Sequence, residues 1–471
     1  MSDRHRSSSK RVAATHPPSS PACQLASLLA SNLCNIAVPG RRLTLAFSGG
    51  LDSRVLLQLL VALRSSAGFE LHAMHVHHGL SPNADAWAEF CRNTCQRLDV
   101  PLTVERVEVS RDSGLGLEAA ARQARYEALF SAQTDFIVLA HHQDDQAETL
   151  LLQLLRGSGV KGLAAMAAED DARRIVRPLL EVPQDALRQY AIANKLEWIE
   201  DESNEDTRYD RNYLRHEVLP VIERRFKRAG RLLARTAGHM AEAALLLDEL
   251  AAIDAGVAPG QTGGFNLDEA RQRLTLSSLR ALNLPRARNL LRWWLALNGL
   301  EMPGASRLED MLRQLLGARA DAVISIKAGS DATLRRYRDA IYLERRHHDR
   351  PVSLLWSGQP ELQLPDGSRL TFEKRPGLGL ACERLGADKL RIASREGGER
   401  FKPDANRPTR TLKHLLQEAD IPPWERDRIP LVYLDDALAV VPGIGVAADF
   451  QAQVDEPGLV IGWQPVWRGS R

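Results

Sequence analysis

Short apolar runs alternate with amphipathic segments in the first third of the chain. The apolar runs predict buried strands, and they lie at residues 43–47, 71–76, 102–107 and 136–140. Each is followed by apolar residues at helical spacing, in residues 52–64, 85–98, 118–132 and 146–155. Strands that alternate with helices of this length form a parallel, doubly wound sheet with right-handed crossovers. The sequence therefore predicts an α/β domain that binds ligands beyond the carboxyl ends of its strands.

The pattern changes after Pro220. Residues 222 to about 318 are mainly helical, with stretches rich in Ala, Leu and Arg. From about residue 350 short β runs and turns follow, interrupted by a helix near residues 411–418. Three ordered domains are expected after an extension that is mostly disordered at its start. The predicted parts are the extension 1–38, the α/β domain 39–221, a helical domain 222–348 and a small α+β domain 349–471.

Composition restricts the class of protein. The 471 residues are 44% hydrophobic and 26% charged, which is typical of globular domains and allows two to four of them. No apolar run approaches the length of a membrane span, so no membrane partner is expected. Residues 1–22 are rich in Ser, Arg and Pro without an apolar centre, which excludes a secretory signal and leaves an organellar transit peptide or a disordered extension.

The five cysteines form no disulfide framework and indicate a reducing compartment, so we expect a cytoplasmic protein. Cys91 and Cys95 lie four residues apart on a predicted helix. A pair of small buried side chains is the favoured interpretation, and a metal or redox role is the alternative. The usual redox spacing leaves two residues between the cysteines, whereas three separate this pair.

The strongest chemical signal is the Gly-rich turn between the first strand and the first helix. A helix N-terminus and free backbone N–H groups at such a turn favour a bound anion. A carboxylate at Asp52 is compatible with phosphates if Mg²⁺ bridges them. The loop is not a Walker A loop, and the competing interpretation is an ordinary βα turn. The residues expected to bind ATP are Ser48, Gly49, Gly50, Leu51, Asp52 and Ser53.

Residues 157–162 match the dinucleotide-binding pattern of three glycines, but this match carries little weight. The pattern needs a preceding strand, whereas Gly157 follows a predicted helix. We interpret the segment as a helix C-cap and a loop.

Positive charge is concentrated locally rather than overall. The formal net charge is only +2, yet residues 208–235 contain nine Lys or Arg and three Asp or Glu. Such a cluster fits a phosphate backbone, and a solvated helix face is the alternative. Another mostly basic stretch contains Arg395, Arg400, Lys402, Arg407, Arg410 and Lys413.

The loop at 48–53 resembles the pyrophosphate loop of the PP-loop ATPases, which split ATP to AMP and pyrophosphate. Further strings resemble one branch of them, the tRNA(Ile)-lysidine synthetases, from about residue 40 to 220 and again near residue 395. The strings are HVHHGL at 75–80, EAAARQARY at 118–126, AHHQDDQAET at 140–149, RGSG at 156–159, RPLL at 177–180, DESN at 201–204, RNYLRH at 211–216 and REGGERF at 395–401.

The resemblance implies that ATP adenylates the wobble cytidine of the isoleucine tRNA with a CAU anticodon. Free L-lysine then attacks C2, which releases AMP and leaves lysidine, so that the tRNA reads AUA instead of AUG. The cofactors expected are ATP and Mg²⁺, with Asp52 as the metal ligand and Arg122 as a phosphate or base clamp. Asp145 and Glu148, three apart at a helix start, would bind the lysine ammonium. Without the resemblance, the two carboxylates would simply complement the helix dipole.

By the same resemblance, basic residues near positions 208–215 and 400–413 would contact the tRNA. Arg211 and Arg215 are four apart and share a helical face. A solvated face remains the alternative for each residue, and a homodimer is kept as a further partner. The residues named for tRNA are Arg208, Arg211, Arg215, Arg400 and Lys413.

The histidines allow a zinc interpretation, but a polar lining of the cleft is favoured. His75, His77 and His78 have no neighbouring Cys, and strand alternation points His78 away from the other two. His141 and His142 follow another predicted strand.

Other functions fit less well. A tRNA thiolase needs a Cys pair or a Cys-bound cluster, for which only Cys91 and Cys95 are available. A glutamine-dependent amidotransferase needs an N-terminal Cys nucleophile. A binding protein without catalysis would not require Asp52, Asp145 and Glu148 together.

Overall fold

The structure is a computed structural model that divides into two compact units, Met1–Leu247 and Asp248–Arg471. It describes residues 21–109, 117–257, 273–317, 319, 324–345, 352–385, 390–403, 405–406 and 408–464. The beginning of the predicted extension, residues 1–20, therefore lies outside the described residues.

A six-stranded sheet forms the centre of the first unit, in the order β3-β2-β1-β4-β6-β5. Its strands are β1 (Arg42–Ala46), β2 (Glu70–His77), β3 (Leu102–Arg106), β4 (Phe136–Val138), β5 (Glu169–Asp170) and β6 (Ile175–Val176). Five of them pair in parallel, and β5 pairs antiparallel with β6 at one edge. The predicted α/β fold with a doubly wound parallel sheet is confirmed.

Ten α-helices are described between residues 21 and 254. They are α1 (Pro21–Asn32), α2 (Leu51–Ala67), α3 (Ala84–Arg97), α4 (Leu117–Phe130), α5 (Gln143–Leu155), α6 (Val160–Leu163), α7 (Gln184–Ala193), α8 (Asp210–Tyr213), α9 (Leu219–Arg225) and α10 (Ala229–Asp254). Helix α2 buries Val55, Leu56, Leu59 and Leu60 because their spacing places them on one face. Helix α1 joins the same core through Leu29, and Leu33 directly after the helix is also buried there, so the end of the predicted extension packs against the α/β domain.

Helices α8 and α9 are joined without a break by a π-helical segment, Leu214–Val218. Residues 210–225 therefore form one helix with a wider turn in its middle. Such segments are rare and are frequent at functional sites. This helix carries Arg211 and Arg215 near its start and Arg224 and Arg225 at its end.

The second unit contains helices and four antiparallel sheets. The helices are α11 (Leu276–Ala281), α12 (Leu284–Leu297), α13 (Ala305–Gly317), α14 (Leu412–Glu418) and α15 (Pro423–Arg426). One sheet has the order β7-β10-β9-β8, from β7 (Arg273–Thr275), β8 (Ser325–Lys327), β9 (Ala332–Tyr337) and β10 (Ala340–Arg345). It packs with Trp294, Leu290 and Leu312 in one buried core.

The rest of the second unit is built from short strands. They are β11 (Ser353–Trp356), β12 (Glu361–Gln363), β13 (Arg369–Pro376), β14 (Leu380–Ala381), β15 (Leu390–Ala393), β16 (Arg400–Phe401), β17 (Arg410–Thr411), β18 (Leu431–Leu434), β19 (Ala437–Val441), β20 (Gly445–Val446) and β21 (Pro457–Gln464). Their sheets have the orders β11-β15-β18-β19-β20, β12-β13-β21-β14 and β16-β17. The predicted change to a small α+β module is therefore present.

One difference from the sequence-based expectation concerns the middle of the chain. The prediction of a helical domain at residues 222–348 includes no strand, whereas the structure has the sheet β7–β10. Its first two strands have only three residues each, and the buried face of β9 includes Arg336, so the apolar alternation of a strand is not visible in the sequence. Among the described helices, none has both the length and the apolar character to cross a membrane. The division into four parts at residues 38, 221 and 348 remains a prediction.

Candidate active site

Polar side chains converge beyond the carboxyl ends of β1, β2 and β4. The phosphate loop follows β1, His77 ends β2, and His141 and His142 follow β4. Neighbouring parallel strands place these segments at the same edge of the sheet, as is usual for ligand sites of α/β proteins.

Hydrogen bonds between its own residues fix the conformation of the phosphate loop. Gly50 N donates to Ser48 Oγ over 3.3 Å, and Ser53 Oγ donates to the Gly50 carbonyl over 3.0 Å. Gly50 is the N-cap of α2, and no side chain caps the helix there. The first N–H groups of a 17-residue helix are therefore left for an anion, as the sequence predicts.

The conformation of Gly49 favours glycine, and a Cβ there would force neighbouring side chains to move. Its φ of +85° lies in the left-handed region, and a Cβ there would lie 2.5 Å from Ile199 Cδ1 and 3.1 Å from Cys91 Sγ. Ile199 N also donates to the Gly49 carbonyl over 2.9 Å. The loop thus packs against residue 199, a contact that the sequence does not indicate.

His142 joins the phosphate loop to the start of α5. Its ring is 2% exposed; Nε2 lies 3.6 Å from Asp52 Oδ2 and 3.4 Å from Asp145 Oδ2, and Nδ1 lies 3.5 Å from Asp144 Oδ2. Burial by itself lowers the pKa of His142, but the carboxylates of Asp144 and Asp52 outweigh it and raise the pKa to about 10. His142 is therefore an imidazolium at neutral pH, surrounded by three aspartates.

The predicted acidic pair is buried and already paired. Arg211 Nε donates to Glu148 Oε2 over 2.7 Å, and Arg211 Nη2 donates to Asp145 Oδ1 over 2.8 Å. Arg215 Nε and Nη2 donate to the two oxygens of Glu148 over 2.6 and 2.9 Å. Burial raises the pKa of Asp145, but the charges of His142 and Arg211 outweigh it and lower the pKa. Both carboxylates are thus neutralised by guanidinium groups.

A second group of cations surrounds Tyr126 on α4. The guanidinium carbons of Arg122 and Arg125 lie 5.2 and 5.6 Å from the centre of the Tyr126 ring. Burial lowers the pKa of Arg125, and the charges of Arg122 and Arg211 lower it further. Burial also lowers the pKa of His141 to about 3, so that ring is neutral at pH 7. Arg122, predicted as a clamp, is thus exposed beside further cations.

The histidines of β2 have neighbours that account for their burial. His75 Nδ1 lies 2.9 Å from the Phe47 carbonyl oxygen and 3.5 Å from Cys91 Sγ, and His77 Nε2 lies 3.2 Å from Asp85. Within the described ranges, no three His, Cys, Asp or Glu side chains form a group that could hold a metal ion. Cys91 and Cys95 are both buried.

The residues named for tRNA lie in different environments. Arg208 is exposed and paired with Asp206, whereas Arg211 and Arg215 are largely occupied by the acidic pair. In the second unit, Arg400 on β16 and Lys413 on α14 are both exposed. Ion pairs with Glu399 and Glu418 neutralise Arg395 and Arg410 of the same basic stretch, and Arg407 lies outside the described residues.

Sequence reasoning assigned no separate role to His142, Arg125 or Arg177. The sequence predicts His142 only as part of a polar lining of the cleft, and Arg125 lies in the motif that contains Arg122. Arg177, in the RPLL string, is buried, donates to the Ala167 carbonyl and has an Nε without a partner among the described residues. A signal did exist, since all three belong to the strings that carry the family resemblance.

Comparison with known proteins extends the likeness over both units. Three family models match: the PP-loop domain at residues 21–222, the TilS substrate binding domain at residues 274–342 and the TilS substrate C-terminal domain at residues 390–463.

Curated relatives match nearly the whole chain. The tRNA(Ile)-lysidine synthase of Nitrosomonas europaea is 42% identical over 91% of this chain and 93% of the relative. The enzyme of the same name from Aromatoleum aromaticum is 44% identical over 90% and 98%, and that from Coxiella burnetii is 40% identical over 89% and 93%. The likeness is thus not restricted to the phosphate-binding half.

Replacing Gly49 by Ala is expected to weaken ATP binding by roughly tenfold or more, because a displaced loop loses at least one good hydrogen bond to the phosphates. Calorimetric titration with ATP measures the effect. Gly40→Ala is the matched control, because Gly40 has a similar φ of +81° and open space around it. Ile199→Val removes Cδ1 and should restore part of the loss. Equal affinities of the Gly49 and Gly40 variants would contradict the steric explanation.

The charge on His142 predicts a pH-dependent stability. Because its pKa is raised from 6.5 to about 10, its contribution is fully present below pH 6.5 and is lost as the pH rises towards 10. Thermal unfolding of the wild type and of His142→Gln, measured from pH 6 to 10, should therefore converge at the alkaline end. A constant difference in melting temperature across this range would show that the ring is neutral throughout.

Proposed function

The chain belongs to the tRNA(Ile)-lysidine synthase family, and we propose that it ligates free L-lysine to C2 of the wobble cytidine of the CAU-anticodon isoleucine tRNA. It is an ATP-using ligase that modifies tRNA. The proposed reaction proceeds through an adenylated cytidine and yields lysidine, AMP and pyrophosphate, which changes codon reading from AUG to AUA. The observation that carries the proposal is that one side chain, His142, contacts both Asp52 of the phosphate loop and Asp145 of the buried acidic pair.

The first proposed step is attack of the cytosine O2 on the α-phosphate of ATP, which releases pyrophosphate. The loop at Ser48–Ser53 supports this step because its N–H groups and the N-terminus of α2 can hold the phosphates against a developing negative charge. We assign Arg122, with Arg125 beside it, to the anionic phosphates or the base edge. Both are cations on the same face of α4.

Mg²⁺ fits this loop through Asp52. One of its oxygens, Oδ1, is buried and has no hydrogen-bond partner among the described residues. Mg²⁺ commonly takes one or two carboxylates and completes its shell with phosphates and water, so a multi-residue protein cage is not needed. When bound, the ion would neutralise charge on the phosphates. Asp52 would hold it, and His142 would keep the carboxylate in place.

The second proposed step is attack of the lysine amine on C2, with AMP leaving and one proton lost from nitrogen. The free amine is protonated at neutral pH, since its pKa is about 10.4. Asp145, whose pKa is lowered, favours binding of the ammonium over uptake of its proton. We therefore assign both carboxylates, Asp145 and Glu148, to binding of the lysine ammonium.

Arg211 and Arg215 pair with the acidic side chains of this site before any tRNA is bound. Their guanidinium groups neutralise the acidic pair in the absence of lysine. An entering ammonium must replace at least one of these hydrogen bonds. We keep both among the proposed tRNA contacts, because a guanidinium released by lysine is free to bind an RNA phosphate. Arg208, Arg400 and Lys413 are exposed candidates for the same role.

The alternative of sulfur transfer is disfavoured by the two neighbouring thiols. Burial raises the pKa of both Cys91 and Cys95, that of Cys95 to about 11. A sulfur carrier reacts as the exposed thiolate, which neither side chain provides. The proposal also includes action in the cytoplasm and a homodimer, whose mass light scattering would measure.

We expect the wild type to transfer radiolabelled lysine to the CAU-anticodon isoleucine tRNA in the presence of ATP, with one AMP released per lysine. Mass spectrometry of the digested tRNA should identify lysidine. Label that remains in free lysine, with AMP formed only when a sulfur donor is added, would favour a thiolase.

Glu148→Gln is expected to separate the two steps. It keeps the shape of the side chain but not its charge, so adenylation should stay within about threefold while lysine transfer falls by roughly a hundredfold, as for loss of a charged hydrogen bond of about 1.5–3 kcal/mol. Pyrophosphate release without lysine and lysine incorporation report the two steps.

Asp52→Asn serves as the comparison variant and should lose both steps. Asp185→Asn, an exposed aspartate in the first turn of α7, should lose neither. Equal loss of both steps in Glu148→Gln would refute its assignment to lysine.

A further inference from the structure

An exposed aromatic ring and four cations form a corner between α9 and α10, which we name the basic corner (residues 224–228). Phe226 directly follows α9 and is 63% exposed. The cations Arg224, Arg225, Lys227 and Arg228 are all exposed. The guanidinium of Arg225 lies 6.0 Å from the centre of the Phe226 ring.

Nothing in the described part of the chain uses this charge. Arg224, Arg225, Lys227 and Arg228 form no ion pair with any described residue. A single exposed Phe is ordinary on a protein surface, but one between four unneutralised cations is not explained by packing. An aromatic face flanked by cations is the arrangement that binds unpaired nucleotides, through stacking and phosphate contacts.

The basic corner lies beside the candidate active site. Gly230 lies four residues after Phe226 and is buried. Its N–H donates a hydrogen bond to Glu223 Oε1 over 3.2 Å. A Cβ at Gly230 would lie 3.6 Å from Asp144 Oδ1, and Asp144 contacts His142. Four residues of extended chain span at most about 14 Å, so the Cα of Phe226 lies within about 14 Å of the Cα of Gly230, which is next to the site.

We infer that the basic corner binds an unpaired anticodon-loop nucleotide next to the wobble cytidine, with its base stacked on Phe226. The inference rests on the proposed function, which requires the wobble base to enter the site at His142 and Asp52. The flanking loop nucleotides then lie within reach of the corner. Stacking accepts any base, so Phe226 would hold the loop in register while contacts in the site select the cytosine.

Binding of a synthetic anticodon stem-loop to the full chain tests this inference. Fluorescence anisotropy gives Kd for the wild type, Phe226→Ala and Phe226→Tyr. Loss of one stacked base should raise Kd roughly tenfold in Phe226→Ala, and the Tyr ring should restore it. Leu246→Ala is the matched control, because Leu246 is an apolar residue of α10 exposed to 65% outside the basic corner.

Abasic nucleotides distinguish stacking from a general loss of structure. At one loop position the abasic change should weaken binding of the wild type roughly tenfold and leave Phe226→Ala unchanged within about twofold. The inference is overturned if Kd of Phe226→Ala equals that of the wild type, or if every abasic position weakens both proteins equally. Preferential, Phe226-dependent binding of polyglutamate or of anionic lipid vesicles over the stem-loop would assign the corner to another partner and overturn it as well.

Lysine transfer by the wild type separates this inference from the proposed function. If the chain binds the loop through Phe226 but forms no lysidine, the proposed function is wrong and the inference about the basic corner stands. If Phe226→Ala forms lysidine with an unchanged KM for tRNA, the inference about the basic corner is wrong and the proposed function stands.

Discussion

The pairing of Asp145 and Glu148 with Arg211 and Arg215 is the interaction on which the site depends. Glu148 is 1% exposed, and an unpaired carboxylate at that depth would cost several kcal/mol. The two arginines supply the compensation and thereby tie residues 210–225 to α5. The position of this helix decides where the chain turns at Phe226. A charge balance inside the site therefore also places the cationic surface outside it.

His142 extends the same balance to the phosphate loop. It is the one described side chain within ion-pair distance of Asp52, Asp144 and Asp145 together. An imidazolium in this place lowers the repulsion among three aspartates at the carboxyl end of the sheet. The half of the site that would hold ATP and the half that would hold lysine consequently share one cation. A change of ligand in either half alters the field in the other, because buried charges are weakly screened.

Much of the first unit could be predicted because its signals are local. The strand and helix periods of residues 43–155 depend only on residues close together in the sequence. The pair Gly49-Gly50 between an apolar run and a helical segment indicates a tight turn. The sheet β7–β10 could not be predicted because it pairs residues that are far apart in the sequence, such as Thr275 and Ala340, and because β7 and β8 have only three residues each. Pairing over that separation has no periodic signal in the sequence.

The sequence by itself determined the α/β class, the Gly-rich turn between β1 and α2, and the membership of Asp145 and Glu148 in one helical face. These follow from spacing of a few residues along one element. Only the tertiary structure decided that Arg211 and Arg215 neutralise that pair, that a Cβ at position 49 would meet Ile199, and that Gly230, two residues after the basic corner, lies beside Asp144. Each of these contacts joins separate segments, and its energy arises from burial and charge that exist only after the chain has folded.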